Sequence, residues 1–199
     1  MRLLIMGPPG AGKGTQAAQV AQRYGIPAIS TGDIFRAMKT ADTPLAHQVR
    51  QIMESGGYVS DEITNEIVAE RLTREDCGRG FLLDGYPRTP TQVETLDAFL
   101  AGHGQALDAV ICLVADQDEV VSRLLKRAEL DGRADDREET IRVRQQMYAD
   151  QTAPLLELFR RRDLLVEVDG LGAVTEVSQR VFDALDAKTG VAPALSTDG

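Results

Sequence analysis

The run Gly7-Pro8-Pro9-Gly10-Ala11-Gly12-Lys13 constrains this chain more than any other feature. Its spacing, G-x-x-x-x-G-K, falls between an apolar segment at residues 2–6 and a stretch with helical patterning from Lys13 to Tyr24. In that setting glycines let backbone N–H groups converge on phosphate oxygens. The helix N-terminus adds partial positive charge, and the lysine reaches the terminal phosphates. The bland reading, a glycine-rich turn with a solvent-facing lysine, leaves the strand-loop-helix context unexplained. One departure from the usual pattern stands out: Gly14, not Ser or Thr, follows Lys13, and Thr15 comes one residue later. Magnesium accompanying the phosphates is therefore expected to be held mainly by phosphate and water oxygens, with a carboxylate from another strand helping.

Further apolar runs at residues 81–83, 109–114 and 164–168, with a short one near 27–29, read as strands, and helical patterns follow them. Runs that are apolar throughout suit strands buried on both faces of a parallel sheet. The expected fold is α/β, a P-loop three-layer α/β/α architecture around a parallel five-stranded sheet. Two stretches interrupt the alternation. Residues 30–59 hold two short helices, the second opening at Thr43-Pro44 and closing at Gly56-Gly57. Residues 128–137 form a polar stretch between two helices, with Asp136 and Glu139 at capping-box spacing and a bend or break expected at Pro154. The core is thus expected at 1–29, 60–127 and 138–189, with insertions at 30–59 and 128–137 flapping over a site. The tail 190–199 lacks periodicity and is expected to be disordered.

Asp84 ends the run Phe81-Leu82-Leu83 and precedes Gly85-Tyr86-Pro87-Arg88. Ligands of open α/β sheets sit outside the carboxyl ends of strands, so Asp84 is the candidate carboxylate for magnesium, through water; its alternative is a turn or capping aspartate. Arginines concentrate in and beside the insertions: Arg36, Arg88, Arg123, Arg127, Arg133, Arg137, Arg142 and Arg144. Arg123 and Arg127 share a helix face at i,i+4 and can clamp one phosphate chain together. Singly, each is an ordinary surface residue; Arg137 and Arg142 are best read that way. Neither His47 nor His103 sits in a motif, and no activated serine or cysteine setting exists. Transfer between phosphates needs none, because the acceptor oxygen is already anionic and catalysis can rest on alignment and charge neutralisation.

Other classes are disfavoured. A formal net charge of −9 opposes broad contact with nucleic acid or anionic membrane. No apolar run approaches the roughly 18 residues of a membrane span, and the N-terminal segment reaches glycine and proline too soon for a signal peptide. A cytoplasmic location is expected. Cys77 and Cys112 lie outside any ligand cluster, so no zinc site or disulfide framework is expected.

The sequence resembles the bacterial adenylate kinases over almost its whole length, to about residue 188. The resemblance rests on residues 7–15, on Ile29-Ser30-Thr31-Gly32-Asp33 with Arg36, and on Gly80 to Thr89 with Gln92. It extends to Arg123 and Arg127, and to Arg133-Ala134-Asp135-Asp136 followed by Glu138-Glu139-Thr140 and Arg144. It implies that Gly10, Ala11, Gly12, Lys13, Gly14 and Thr15 wrap the phosphates of ATP, with Arg123, Arg127 and the backbone near Gly172 also contacting ATP. Thr31, Arg36, Gly57, Tyr58, Val59, Gly85, Tyr86, Pro87, Arg88, Gln92, Arg133 and Arg144 would serve AMP. Among these, Lys13, Arg88, Arg123, Arg133 and Arg144 would act on the transferring group. The stretch at 128–137 matches the short-lid forms, which lack zinc. The resemblance implies MgATP and AMP as substrates, ADP as product, and a monomer.

Two alternatives compete with that reading. A relative selective for UMP or CMP, or for GTP as donor, would share the loop, and base choice rests on few residues. Gln92 could read an adenine edge or, in the capping box Thr89-Pro90-Thr91-Gln92, serve only a helix end. A nucleotide-dependent switch would also carry the loop, but it should show an N-K-x-D motif, which this chain lacks.

Overall fold

The computed structural model describes residues 1–38, 42–131 and 138–190, with Gln117, Asp118 and 127–131 described by backbone alone. Every apolar run forms a strand: β1 (Arg2–Met6), β2 (Ala28–Ser30), β3 (Phe81–Asp84), β4 (Ala109–Val114) and β5 (Leu165–Asp169). All pair in parallel in the order β2-β3-β1-β4-β5. Successive side chains of a strand point to opposite faces, and both faces here are apolar. Leu4, Met6, Leu83 and Val110 enter one core with Val68, Leu72, Val93, Leu96 and Phe159. Leu3, Ile5, Leu82, Ile111 and Leu113 enter the other with Val20, Val120, Val177 and Val181. Helices therefore cover both faces, giving the three layers expected.

The helices are α1 (Lys13–Tyr24), α2 (Thr31–Met38), α3 (Pro44–Glu54), α4 (Asp61–Leu72), α5 (Pro90–Gly102), α6 (Gln117–Asp131), α7 (Glu138–Met147), α8 (Pro154–Arg161) and α9 (Val174–Thr189). Thr43 caps α3, its hydroxyl accepting from the Ala46 N–H at 3.2 Å. Within the 30–59 stretch Phe35, Val49 and Val59 form a separate small cluster, against which Ile63 and Ile67 of α4 pack. Residues 128–131 form the last turn of α6, and 132–137, including Arg133, Asp136 and Arg137, lie outside the described residues, as does the tail from 191.

At Pro154 the expected break takes a specific form. Proline lacks an N–H and its ring crowds the carbonyl four residues back. The chain answers with a π turn over Tyr148–Thr152, closed by the Ala153 N–H on the Tyr148 carbonyl at 2.8 Å, and α8 restarts with Pro154 in its first turn.

Register positions the site. Ile5 lies opposite Asp84 and Met6 opposite Cys112, so the glycine loop after β1 and the Asp84 segment after β3 leave the carboxyl ends of two adjacent interior strands. Among the described residues no helix is long and apolar enough to cross a membrane.

Candidate active site

The loop after β1 can only be built with glycine at key points. Gly10 has φ +91°, and a Cβ there would stand 2.4 Å from the Val120 carbonyl oxygen, so any side chain collides with α6. Gly12 occupies the N-cap of α1 in a left-handed conformation and supplies no side-chain cap. The first N–H groups of α1 are thereby left for an anion. Lys13 Nζ lies across the loop, donating to the carbonyls of Gly7 at 2.8 Å and Pro8 at 2.9 Å. Gln145 of α7 buttresses the outer side, its amide donating to the Pro9 carbonyl at 3.0 Å.

Facing this loop is the end of β3. A Cβ on Gly14 would sit 3.8 Å from Asp84 Oδ2, so the carboxylate borders the loop directly. Burial pushes the Asp84 carboxyl above its ordinary range, against the opposing pull of the Lys13 and Arg88 charges. A buried carboxylate that resists ionisation is relieved by a cation. Together with Thr15, which lines the same cavity, it offers the hard oxygen donors that magnesium prefers. Among the described residues no group of three or more His, Cys, Asp or Glu could hold a metal ion.

Beyond Asp84 the wall is a hydrogen-bonded framework. Arg88 Nε donates to the Gly85 carbonyl at 2.7 Å, and its guanidinium stacks 4.6 Å from the centroid of the Tyr58 ring. The Tyr58 hydroxyl meets the Thr152 hydroxyl at 3.1 Å, and Thr152 in turn donates to the Arg88 carbonyl at 3.1 Å. Thr31 donates to the Gly85 carbonyl at 3.0 Å, and Arg36 pairs with Asp33 at 2.5 Å. Arg123 donates to the Gly170 carbonyl at 3.1 Å and pairs with Glu119 at 2.9 Å.

Gln92 is buried, and both ends of its amide are engaged. Its oxygen accepts from the Arg88 backbone N–H at 2.8 Å and its nitrogen donates to Asp61 Oδ1 at 2.8 Å. Thr89 caps α5 by accepting from the Gln92 N–H at 3.3 Å. The glutamine half of the capping box is displaced by one residue, onto the Arg88 N–H, while Thr89 Oγ1 also donates to Asp61 Oδ2 at 2.7 Å.

These groups enclose one cavity of about 840 Å³. Gly10, Ala11, Gly12, Lys13, Gly14, Thr15, Arg123 and Gly172 line it on the loop side. Thr31, Arg36, Gly57, Tyr58, Val59, Asp84, Gly85, Tyr86, Pro87, Arg88, Gln92 and Arg144 line the rest. The Arg127 side chain and Arg133 lie outside what is described. Sequence reasoning missed Gln16, Thr64, Tyr148 and Thr152, which also line the cavity. The last two arrive through the π turn, for which Pro154 was the only sequence signal. Burial holds the Tyr148 phenol well above its ordinary range, so it stays neutral beside the phosphate loop.

The family model for adenylate kinase matches residues 5–164. Among curated relatives, an adenylate kinase of Nocardioides sp. is 59% identical over 94% of this chain and 97% of its own length. Adenylate kinases of Leifsonia xyli subsp. xyli, 57% identical over 98% of each chain, and of Clavibacter michiganensis subsp. michiganensis, 58% identical over 97% of this chain and 96% of its own, match over almost the whole length. With the glycine loop, the Asp84 segment and the arginines gathered on one cavity, the chain belongs to the adenylate kinase family.

Proposed function

We propose that this protein catalyses reversible phosphoryl transfer from MgATP to AMP, giving two ADP, and so balances adenine nucleotides in the cytoplasm, working as a monomer. One observation carries the reading: a single cavity is bounded on one side by the phosphate loop and on the other by a separate cationic, amide-bearing wall. Such a cavity suits two nucleotides meeting phosphate to phosphate. A switch protein would need only the first wall.

On this reading residues 10–15 bind the ATP phosphates and Arg123, Arg127 and the Gly172 backbone hold the rest of ATP. The 30–59 insertion contributes Thr31, Arg36, Gly57, Tyr58 and Val59 to the AMP side, joined by Gly85, Tyr86, Pro87 and Gln92. Arg88 and Arg144, with Arg133 from the short lid at 128–137, orient the AMP phosphate and spread the charge of the transferring group. Lys13 does the same from the donor side. Magnesium arriving with ATP would be held near Asp84 through water and would supply further charge neutralisation. The AMP oxygen attacks the γ-phosphorus as the bond to the ADP oxygen breaks, and no proton need move. Enclosure by the insertions keeps water from taking the phosphoryl group.

Turnover with AMP, UMP, CMP and GMP at fixed ATP, and with ATP or GTP at fixed AMP, tests this. AMP and ATP should lead, with ADP as sole product. Faster turnover of CMP than AMP, or ATP consumed to free phosphate equally with and without AMP, would refute it.

A further inference from the structure

We propose that Asp61 is a specificity-determining residue that locks the Gln92 amide in one orientation, so that the site accepts 6-amino purine monophosphates and rejects 6-oxo ones. The inference rests on the reading that Gln92 faces the acceptor base.

The argument is one of hydrogen-bond inventory. A glutamine amide is nearly symmetric in shape, and flipping it exchanges a donor for an acceptor. Gln92 cannot flip here. Its nitrogen faces Asp61 Oδ1 at 2.8 Å, a carboxylate that only accepts, and its oxygen faces the Arg88 backbone N–H at 2.8 Å, which only donates. Reversal would set oxygen against carboxylate and NH2 against N–H. Asp61 is itself held in place, because its other oxygen accepts from Thr89 Oγ1 at 2.7 Å and it opens α4 next to the Ser60 cap.

What remains on the buried amide is one N–H and one carbonyl lone pair, on a residue that lines the cavity. Adenine presents the matching pair, an acceptor at N1 and an amino donor at N6. Hypoxanthine and guanine present the reverse, a donor at N1 and an acceptor at O6. In the same pose both contacts turn repulsive, and a site built to bond a polar edge rejects the wrong one strongly. A free glutamine would adapt by flipping; one anchored by Asp61 does not.

Asp61→Asn puts a group that can donate where only an acceptor stood. The ratio of kcat/KM for AMP to that for IMP should fall about tenfold. CMP supplies an internal control, since its N3 and N4 offer the same acceptor and donor as adenine: the AMP-to-CMP ratio should stay within about twofold. Asp61→Ala removes the acceptor without adding a donor and leaves the Arg88 N–H alone opposing reversal, so it should lower the same ratio by a smaller factor, and the result does not hang on one variant folding. An unchanged AMP-to-IMP ratio in both variants would overturn the proposal. So would a parallel fall in both ratios, the mark of a loosened site. Gln92→Leu separates the two levels of inference. It should lose the AMP-to-IMP discrimination, and adding Asp61→Asn should change nothing more. If Gln92→Leu leaves that discrimination intact, the assignment of Gln92 to the base fails, and the role of Asp61 with it.

Discussion

Lys13 shows how much of this site is charge held ready. Its ammonium lies across the glycine loop, bonded to the carbonyls of Gly7 and Pro8, so it is aimed before any phosphate arrives. The two partners are backbone carbonyls of the loop, not side chains packed in the core. Lys13→Ala should therefore lower kcat at least about 100-fold, the loss seen when one preorganised electrostatic group is removed, while the melting temperature moves by less than about 2 °C. Steady-state rates and a thermal melt on the same preparation check both halves; a large fall in stability would mean that the lysine is structural. The residue scale is also where the sequence was most legible. The glycines, Lys13, Asp84 and Arg88 sit in short motifs whose chemistry depends on neighbours within a few positions. Asp61 was not legible. Its meaning comes from Thr89 and Gln92, 28 and 31 positions away, and a lone aspartate at a helix start reads as an ordinary capping charge.

Elements follow the same division. Strands β1, β3 and β4 announced themselves because residues buried on both faces must be apolar throughout, and α1 and α3 through their flanking glycines and the Thr43-Pro44 cap. The π turn before Pro154 did not, because it depends on how one missing N–H is accommodated. The clasp between α1 and α9 was equally invisible, being made by residues 162 and 163 apart: the Tyr24 hydroxyl and Arg23 reach the two oxygens of Asp186 at 2.6 and 2.7 Å. Burial works against the Asp186 carboxylate, but these two bonds outweigh it and hold its pKa below the ordinary value. Burial, reinforced by Asp186, pushes the Tyr24 phenol up to about 12. The signs differ. Asp186 contributes stability above the unfolded carboxylate range, lost as pH falls through its lowered folded value. Neutral Tyr24 contributes stability that is whole below its ordinary pKa of 10.0 and is lost as pH rises toward about 12. Asp186→Asn should lower the melting temperature at pH 7 by about 2–6 °C. It should also flatten the acid limb of the stability profile, and thermal melts from pH 3 to 11 would show both. An acid limb identical to that of the parent protein would place the titrating group elsewhere.

At the scale of the molecule, the 30–59 stretch and α7 already touch. Gly56, at the end of α3, has its Cβ direction 3.1 Å from the Thr140 carbonyl and 3.3 Å from Arg144 Cγ, and the Thr140 hydroxyl lies 3.4 Å from the Glu54 carbonyl. Arg144 thus stands at the seam between α3 and α7, and on the proposed reading the parts to either side of it close on substrate. Movement of the insertion cannot leave that arginine undisturbed, so occupancy of one side should be felt on the other. A mimic that joins two adenosines through a phosphate chain fills both sides at once. At 100 times its Kd it should stabilise the protein by about 2.7 kcal/mol, a rise of roughly 5–11 °C in melting temperature at about 2–4 °C per kcal/mol. Amide hydrogen exchange should locate the effect. With the mimic, protection should rise in residues 7–15, across α2 and α3 and along α7. ATP alone should protect the loop strongly and α3 weakly. Protection by the mimic confined to residues 7–15 would mean that the second adenosine hangs in solvent, and the amide-bearing wall would lose its claim to the acceptor nucleotide.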